Sequence, residues 1–294
     1  MARPPWTIIG VPIDSVGRSG GTEHAPRALR EAGVVGLLGA SDRGDLDVRI
    51  RGEERDAETG VVGSDDVLAM TVAVRTGVRA AVAGGERPFV LGGCCSLLPG
   101  AMAGVRDVSG PLGVANVDGH VDVYDGRSSP TGEAADMPVG VALGRDPAAW
   151  VEAAGGASSE AAAVIALGAR DPEEREDIAA LMAGELAGFE AIDPTELRAL
   201  GLGNAGQRSA ERLAGRAGRF WLHLDVDVLD EAAMPATDYL MPAGLEWDEL
   251  AALLAPLAGS PALAGVSLGC VNPEKDPGGR CTARTAALVG AAFG

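Results

Sequence analysis

Two stretches constrain this chain more than anything else in it: Val114-Ala-Asn-Val-Asp-Gly-His-Val-Asp122 and, far downstream, Leu222-His-Leu-Asp-Val-Asp-Val-Leu-Asp230. In each, an apolar run gives way to polar side chains at every second position. An extended strand throws alternate side chains to the same side. Asp118, His120 and Asp122 are therefore expected on one face, and so are His223, Asp225 and Asp227. Carboxylates held two apart on one face repel each other unless a cation lies between them. The two stretches thus read as two walls of a divalent metal site. Aspartate is also common where strands stop, but solvated strand ends leave the histidines unexplained. Two of the chain's three histidines fall in these stretches.

Around them, short apolar runs alternate with helical patterns. Strands are expected at 7–13, 47–51, 88–93, 112–117, 161–167, 219–224 and 262–271. Helices are expected at 25–33, 65–83, 97–105, 171–184, 194–200, 205–214, 247–257 and 281–293. A Gly-rich loop spans 14–21, and longer loops run over 53–64, 127–138 and 232–244. Such alternation predicts an α/β fold, a three-layer α/β/α sandwich with a mostly parallel sheet. Ligands of such sheets sit at the carboxyl ends of the strands, where both acidic stretches lie. No repeat, linker or low-complexity tract divides the 294 residues, so a single domain over 1–294 is expected.

The charge balance narrows the partners. With 24 Lys+Arg against 42 Asp+Glu, the net charge of −18 repels phosphate backbones and anionic membranes. Neither nucleic acid nor a membrane is expected as a partner, and no apolar stretch approaches the ~20 residues that span a bilayer. A small-molecule substrate is. The N-terminus lacks the apolar run of a secretory signal. Four cysteines without a paired framework point to a reducing cytoplasm.

Four motifs in order, Leu91-Gly-Gly-Cys-Cys-Ser96, Asn116-Val-Asp-Gly-His-Val-Asp122, Asp225-Val-Asp-Val-Leu-Asp230 and Ser267-Leu-Gly-Cys-Val-Asn-Pro273, resemble those of the arginase/agmatinase family of ureohydrolases. The N-terminal Gly-loop with Ala25-Pro-Arg-Ala-Leu-Arg30 and the terminal helix fit as well, so the resemblance runs almost end to end. It implies two manganese ions bridged by carboxylates, with water between them deprotonated to attack a guanidinium carbon. Carried over, Asp118 and Asp225 would bridge the metals, Asp122 would hold one ion, and His120 with Asp227 the other. It also implies a homo-oligomer, a trimer or hexamer.

The chain departs from the family pattern where chemistry is decided. The family's sixth ligand, the His of Gly-Gly-Asp-His-Ser, falls on Cys95, and the preceding Asp on Cys94. A thiolate is softer than imidazole and favours zinc or iron over manganese, so either could replace manganese here. A free Cys is also often just a small buried hydrophobe, and both readings of Cys95 stand. The acid that pairs with the guanidinium in the family's Met-Glu-Val-Asn-Pro falls on Cys270. Its proton-transferring His falls on Ala135, and its Asn for the amino-acid end of arginine on Tyr124. Losing the carboxylate removes the bidentate partner a guanidinium wants.

Candidate substrate contacts are Tyr124, Tyr239 and Cys270, with Thr131 and Glu133 from the 127–138 loop. Candidate catalytic groups are Asp122 to orient water and His223 or Asp136 as proton donor. His223 replaces a residue that is small in the family, and it either compensates for the missing His or acid or is a satisfied core group. His24 reads as a surface or capping residue. The function this predicts is metal-dependent hydrolysis of a C–N bond in a modified guanidino, amidino or ureido compound, not plain arginine. The competing reading is a catalytically inactive homologue kept for binding or assembly.

Overall fold

The computed structural model describes residues 3–15 and 20–294, so half of the predicted Gly-rich loop, residues 16–19, lies outside the described residues. Eight strands form one sheet: β1 (Trp6–Val11), β2 (Ser41–Asp45), β3 (Arg87–Gly92), β4 (Gly113–Val117), β5 (Val164–Leu167), β6 (Glu190–Ile192), β7 (Phe220–Asp225) and β8 (Leu263–Gly269). Their spatial order is β2-β1-β3-β8-β7-β4-β5-β6. Every pair is parallel. A parallel sheet needs cover on both faces, and the strands are apolar to match. In β7, Phe220, Leu222 and Leu224 enter one core while Trp221 enters the other. β1 and β3 divide the same way, Ile8 and Phe89 against Ile9 and Val90.

Helices supply the outer layers. Ala25–Glu31, Leu202–Ala217, Trp247–Gly259 and Arg280–Phe293 pack on the first face. Ser64–Ala83, Leu98–Ser109 and Ala148–Ala154 pack on the second. The chain therefore adopts the expected three-layer α/β/α fold. Among the described residues no helix is long and apolar enough to cross a membrane.

Three local expectations are corrected. The second strand is Ser41–Asp45, not 47–51: the sheet edge is exposed, so pairing with β1 selects it rather than apolar content. Residues 161–163 form a 3₁₀ turn that delivers the chain into β5. The helix expected over 171–184 is two short ones, Pro172–Asp177 and Ala179–Ala183, broken at Ile178. The three-residue β6 and the short helices Val34–Leu38 and Pro138–Ala142 are elements the sequence pattern did not reveal.

Candidate metal centre and its cavity

Strands β4 and β7 are neighbours in register, Val117 beside Leu224. Both end at the same rim, so the two acidic stretches meet there. Only part of the expected alternation produces that meeting. His223 and Asp225 do share a face of β7. β4 stops at Val117, however, and Asp118, His120 and Asp122 lie in the loop beyond it. Asp227 follows in a 3₁₀ turn. A strand continued through Asp122 would run past its hydrogen-bonding partners, and backbone-to-side-chain bonds take over instead. Asp118 accepts from His120 N–H at 2.8 Å, Asp225 from Asp227 N–H at 2.9 Å, and Asp227 from Gly119 N–H at 2.9 Å. The last bond ties one acidic stretch to the other.

Asp122 takes a left-handed backbone, φ 59°. Glu174, which the sequence reading did not single out, secures it. One Glu174 carboxylate oxygen accepts from Val121 N–H at 2.7 Å and the other from Asp122 N–H at 2.8 Å. Glu174 lies in a highly charged stretch, Pro-Glu-Glu-Arg-Glu-Asp, which resembles a solvated helix face. Its one distinguishing signal is position: Asp171 caps that helix by accepting from Glu174 N–H.

The electrostatics are those of crowded carboxylates. Burial, then the charge of Asp227, raises Asp118 to about 6. Burial and neighbouring acids push Asp122 and Asp225 well above the usual carboxylate range. Burial raises Glu174 to about 7. Burial would raise Asp227 too, but His120, with Nδ1 3.1 Å from its Oδ2, outweighs this and holds it low. The same contact overcomes the burial of His120 and lifts that imidazole well above its ordinary value.

Ligand atoms lie within 4.8 Å of one another in three groups: Asp118/His120/Asp122, Asp118/Asp225/Asp227 and Cys95/His223/Asp225. Asp122 Oδ2 and His223 Nε2 are buried with no hydrogen-bond partner. Orphaned buried lone pairs beside mutually repelling acids fit cations as the missing partner. The residues present thus suit a divalent metal centre.

The remaining predicted residues fall as follows. Cys95 is buried, its Sγ 3.9 Å from that of Cys270, which also has a left-handed backbone. His223 is fully buried, and burial lowers it to about 4. The ring is therefore neutral at working pH, and the single N–H of a neutral imidazole is too weak an acid to protonate a leaving group, which argues for a ligand rather than an acid. Asp136 Oδ2 accepts from the hydroxyls of Ser129 and Thr131, at 2.5 and 2.6 Å, and so braces its loop. Tyr124 donates to Asp177 at 2.8 Å, and Tyr239 to Glu133 at 2.6 Å, with the Tyr239 ring edge-on to His120 at 5.9 Å. His24 sits at the N-cap position of the Ala25–Glu31 helix without a side-chain capping bond, its Nε2 3.8 Å from carboxylate oxygens of Glu23 and Glu274.

All of the candidate groups except Asp118 and His223 line one cavity of about 620 Å³. Further acids missed by the sequence reading, Asp171, Glu173 and Asp238, line it as well. The chain's single lysine, Lys275, also lines it, paired with Asp238 at 2.7 Å.

Known proteins are similar to this chain in sequence and in fold. The sequence model described as the Arginase family matches residues 5–293. An arginase of Brevibacillus brevis is 30% identical, with 98% of this chain and 97% of that protein covered. The solved arginase of Bacillus caldovelox superposes with a TM-score of 0.90 at 27% identity, covering 99% of this chain and 98% of that one. The formimidoylglutamase of Bacillus subtilis shares the fold, with a TM-score of 0.78 at 21% identity over 99% and 87% of the two chains.

Proposed function

The chain belongs to the arginase family, and from that membership we propose that it is a metal-dependent hydrolase of a C–N bond in a small guanidino, amidino or ureido compound other than free arginine. The observation that carries the reading is the convergence of His120, Asp122, Asp225 and Asp227 on one cavity, with Asp118 within ligand distance of them. Divalent ions held there, with manganese expected by family resemblance, would bring the pKa of water down toward ~7 and so supply a nucleophile at neutral pH. Asp122 has the free buried oxygen, Oδ2, that can orient that water. Glu174 fixes Asp122 through the backbone, and Tyr124, Thr131, Glu133 and Tyr239 form walls that shape the substrate space.

Specificity follows from what is absent at the reacting end. Cys270 stands where the family's guanidinium-pairing acid would be, and Ala135 where its proton-transferring His would be. A plain guanidinium buried there would lack its carboxylate partner, a penalty of several kcal/mol. Another part of the lining carries acids outside the metal-binding set. Asp171 and Glu173 line the cavity, while Lys275 is already paired with Asp238. A substrate with a neutral reacting group and a positive remote end satisfies both regions.

The test is urea release from arginine and agmatine by the manganese-loaded wild type and by the double variant Cys270→Glu, Ala135→His. The wild type is expected to show no useful rate and the double variant to gain one. Robust urea release by the wild type would overturn the assignment of the pocket.

A further inference from the structure

The family resemblance puts Cys95 at the position of a histidine ligand, where it reads either as a softer thiolate ligand or as a small buried hydrophobe. The structure places something else beside it. His223 on β7 borders the space that Cys95 and Asp225 share: a ring nitrogen of His223, Cys95 Sγ and an Asp225 carboxylate oxygen lie within 4.8 Å of one another, on three buried residues. Gly269 at the end of β8 borders that space. A Cβ there would sit 3.6 Å from Cys95 N and 3.7 Å from His223 Cε1.

A core histidine with both nitrogens satisfied would carry no message. His223 is satisfied on one side only. Its Nδ1 lies 2.7 Å from Ser267 Oγ, while Nε2 is fully buried without a partner. Trp221 Nε1 donates to the same hydroxyl at 2.8 Å, which holds Ser267 in place. If Nδ1 carries the proton and donates to Ser267, Nε2 is left as a buried, unpartnered lone pair on a ring that groups with the thiol and the acid. An outer hydrogen bond that fixes tautomer and ring direction is what metal-ligating histidines ordinarily have.

We propose that Cys95, His223 and Asp225 form a mixed sulfur–nitrogen–oxygen position selective for zinc, distinct from the carboxylate-rich position of Asp118, His120 and Asp227, so that the centre is heterodinuclear with Asp225 shared. Thiolate and imidazole suit zinc, whereas carboxylate-rich sites suit manganese. Binding would displace the thiol proton to solvent, since the ligand is the thiolate. His223 thus replaces, from a different strand, the imidazole that the Cys95 substitution removed. This inference rests on reading the two acidic stretches as a metal centre.

The experiment strips the protein with chelator, keeps its thiols reduced, and titrates it with cobalt(II) as a spectroscopic stand-in for zinc. A near-ultraviolet thiolate-to-cobalt charge-transfer band is expected in the wild type. It should be lost in Cys95→Ser, retained in Cys270→Ser, and should need at least about tenfold more cobalt in His223→Ala. As a test that needs no variant, the wild type dialysed against equal zinc and manganese should retain one zinc per chain at this position. Visible cobalt absorption without the charge-transfer band, a band that follows Cys270 instead of Cys95, unchanged cobalt affinity in His223→Ala, or two manganese per chain would each overturn the inference while leaving the metal centre intact. Failure of the wild type to bind cobalt at all would overturn both.

Discussion

Asp122 is held in the left-handed region at φ 59°, a conformation that costs a non-glycine residue on the order of 1–3 kcal/mol. The two bonds from Glu174 to Val121 N–H and Asp122 N–H are what offset it. Glu174→Ala leaves both buried N–H groups unmet, and each such loss costs about 1–3 kcal/mol. The variant should therefore unfold at lower denaturant and bind manganese at least about tenfold more weakly, as outer-shell losses do. Chemical denaturation of the metal-free protein and a metal-binding isotherm check this; no change in either would mean that Asp122 is fixed by other contacts. The acids and His120 that line the floor were legible in the sequence because histidine interrupts a polar alternation, which solvated loops have no reason to produce. Glu174 was not, because its role depends on where the Pro172–Asp177 helix lands against a loop some fifty residues earlier in the chain, and its neighbours are equally acidic.

At the level of elements, the ends of three strands are pinned at Gly93. Its N–H donates to Val11 O at 3.0 Å, and its carbonyl accepts from Cys270 N–H at 2.7 Å. A Cβ on Gly93 would lie 1.6 Å from Ile13 O, so no side chain fits unless β1 and β3 separate. Gly93→Ala should lower the unfolding free energy by about 3 kcal/mol, the upper end for overpacking. Gly215 is the contrast: exposed, inside the Leu202–Ala217 helix, with nothing within 4 Å of a Cβ. Gly215→Ala should raise stability by ~0.5–1 kcal/mol through helix propensity alone. Urea midpoints of the two variants decide it, and equal effects would mean that strand ends and helix surface tolerate change alike. The buried strands announce themselves as apolar runs with covered faces. The edge strands do not: Ser41–Asp45 is polar and largely exposed, and Glu190–Ile192 is too short to show a period. Both are strands because a neighbour offers a free ladder, a property of the assembled sheet rather than of the segment.

The whole molecule should show the centre in its pH dependence. Most acids shifted by ion pairs, such as Asp42, Asp107 and Asp193, are lowered below 3.8. Their contribution is complete above that value and is lost only as pH falls through their folded pKa. The cavity acids run the other way. Asp118 at about 6, Glu174 at about 7, and Asp122 and Asp225 well above 3.8 are all raised by burial. Between their unfolded and folded values the folded state binds more protons than the unfolded one, so stability falls as pH rises. For Glu174, raised from 4.5 to about 7 at ~1.4 kcal/mol per unit, the loss is on the order of 3 kcal/mol. His120, raised well above 6.5, also loses stability with rising pH. His223, lowered to about 4, gains stability between 4 and 6.5, but it is one group against several. Metal-free protein should therefore become easier to unfold from pH 5 to pH 8, as judged by urea midpoints in chelator. Saturating manganese should flatten or reverse that slope, because a cation between the carboxylates replaces the protons they otherwise hold. A metal-free protein that grew more stable across this range would mean that the acids are answered within the chain, and the case for cations at the floor of the cavity would fall with it.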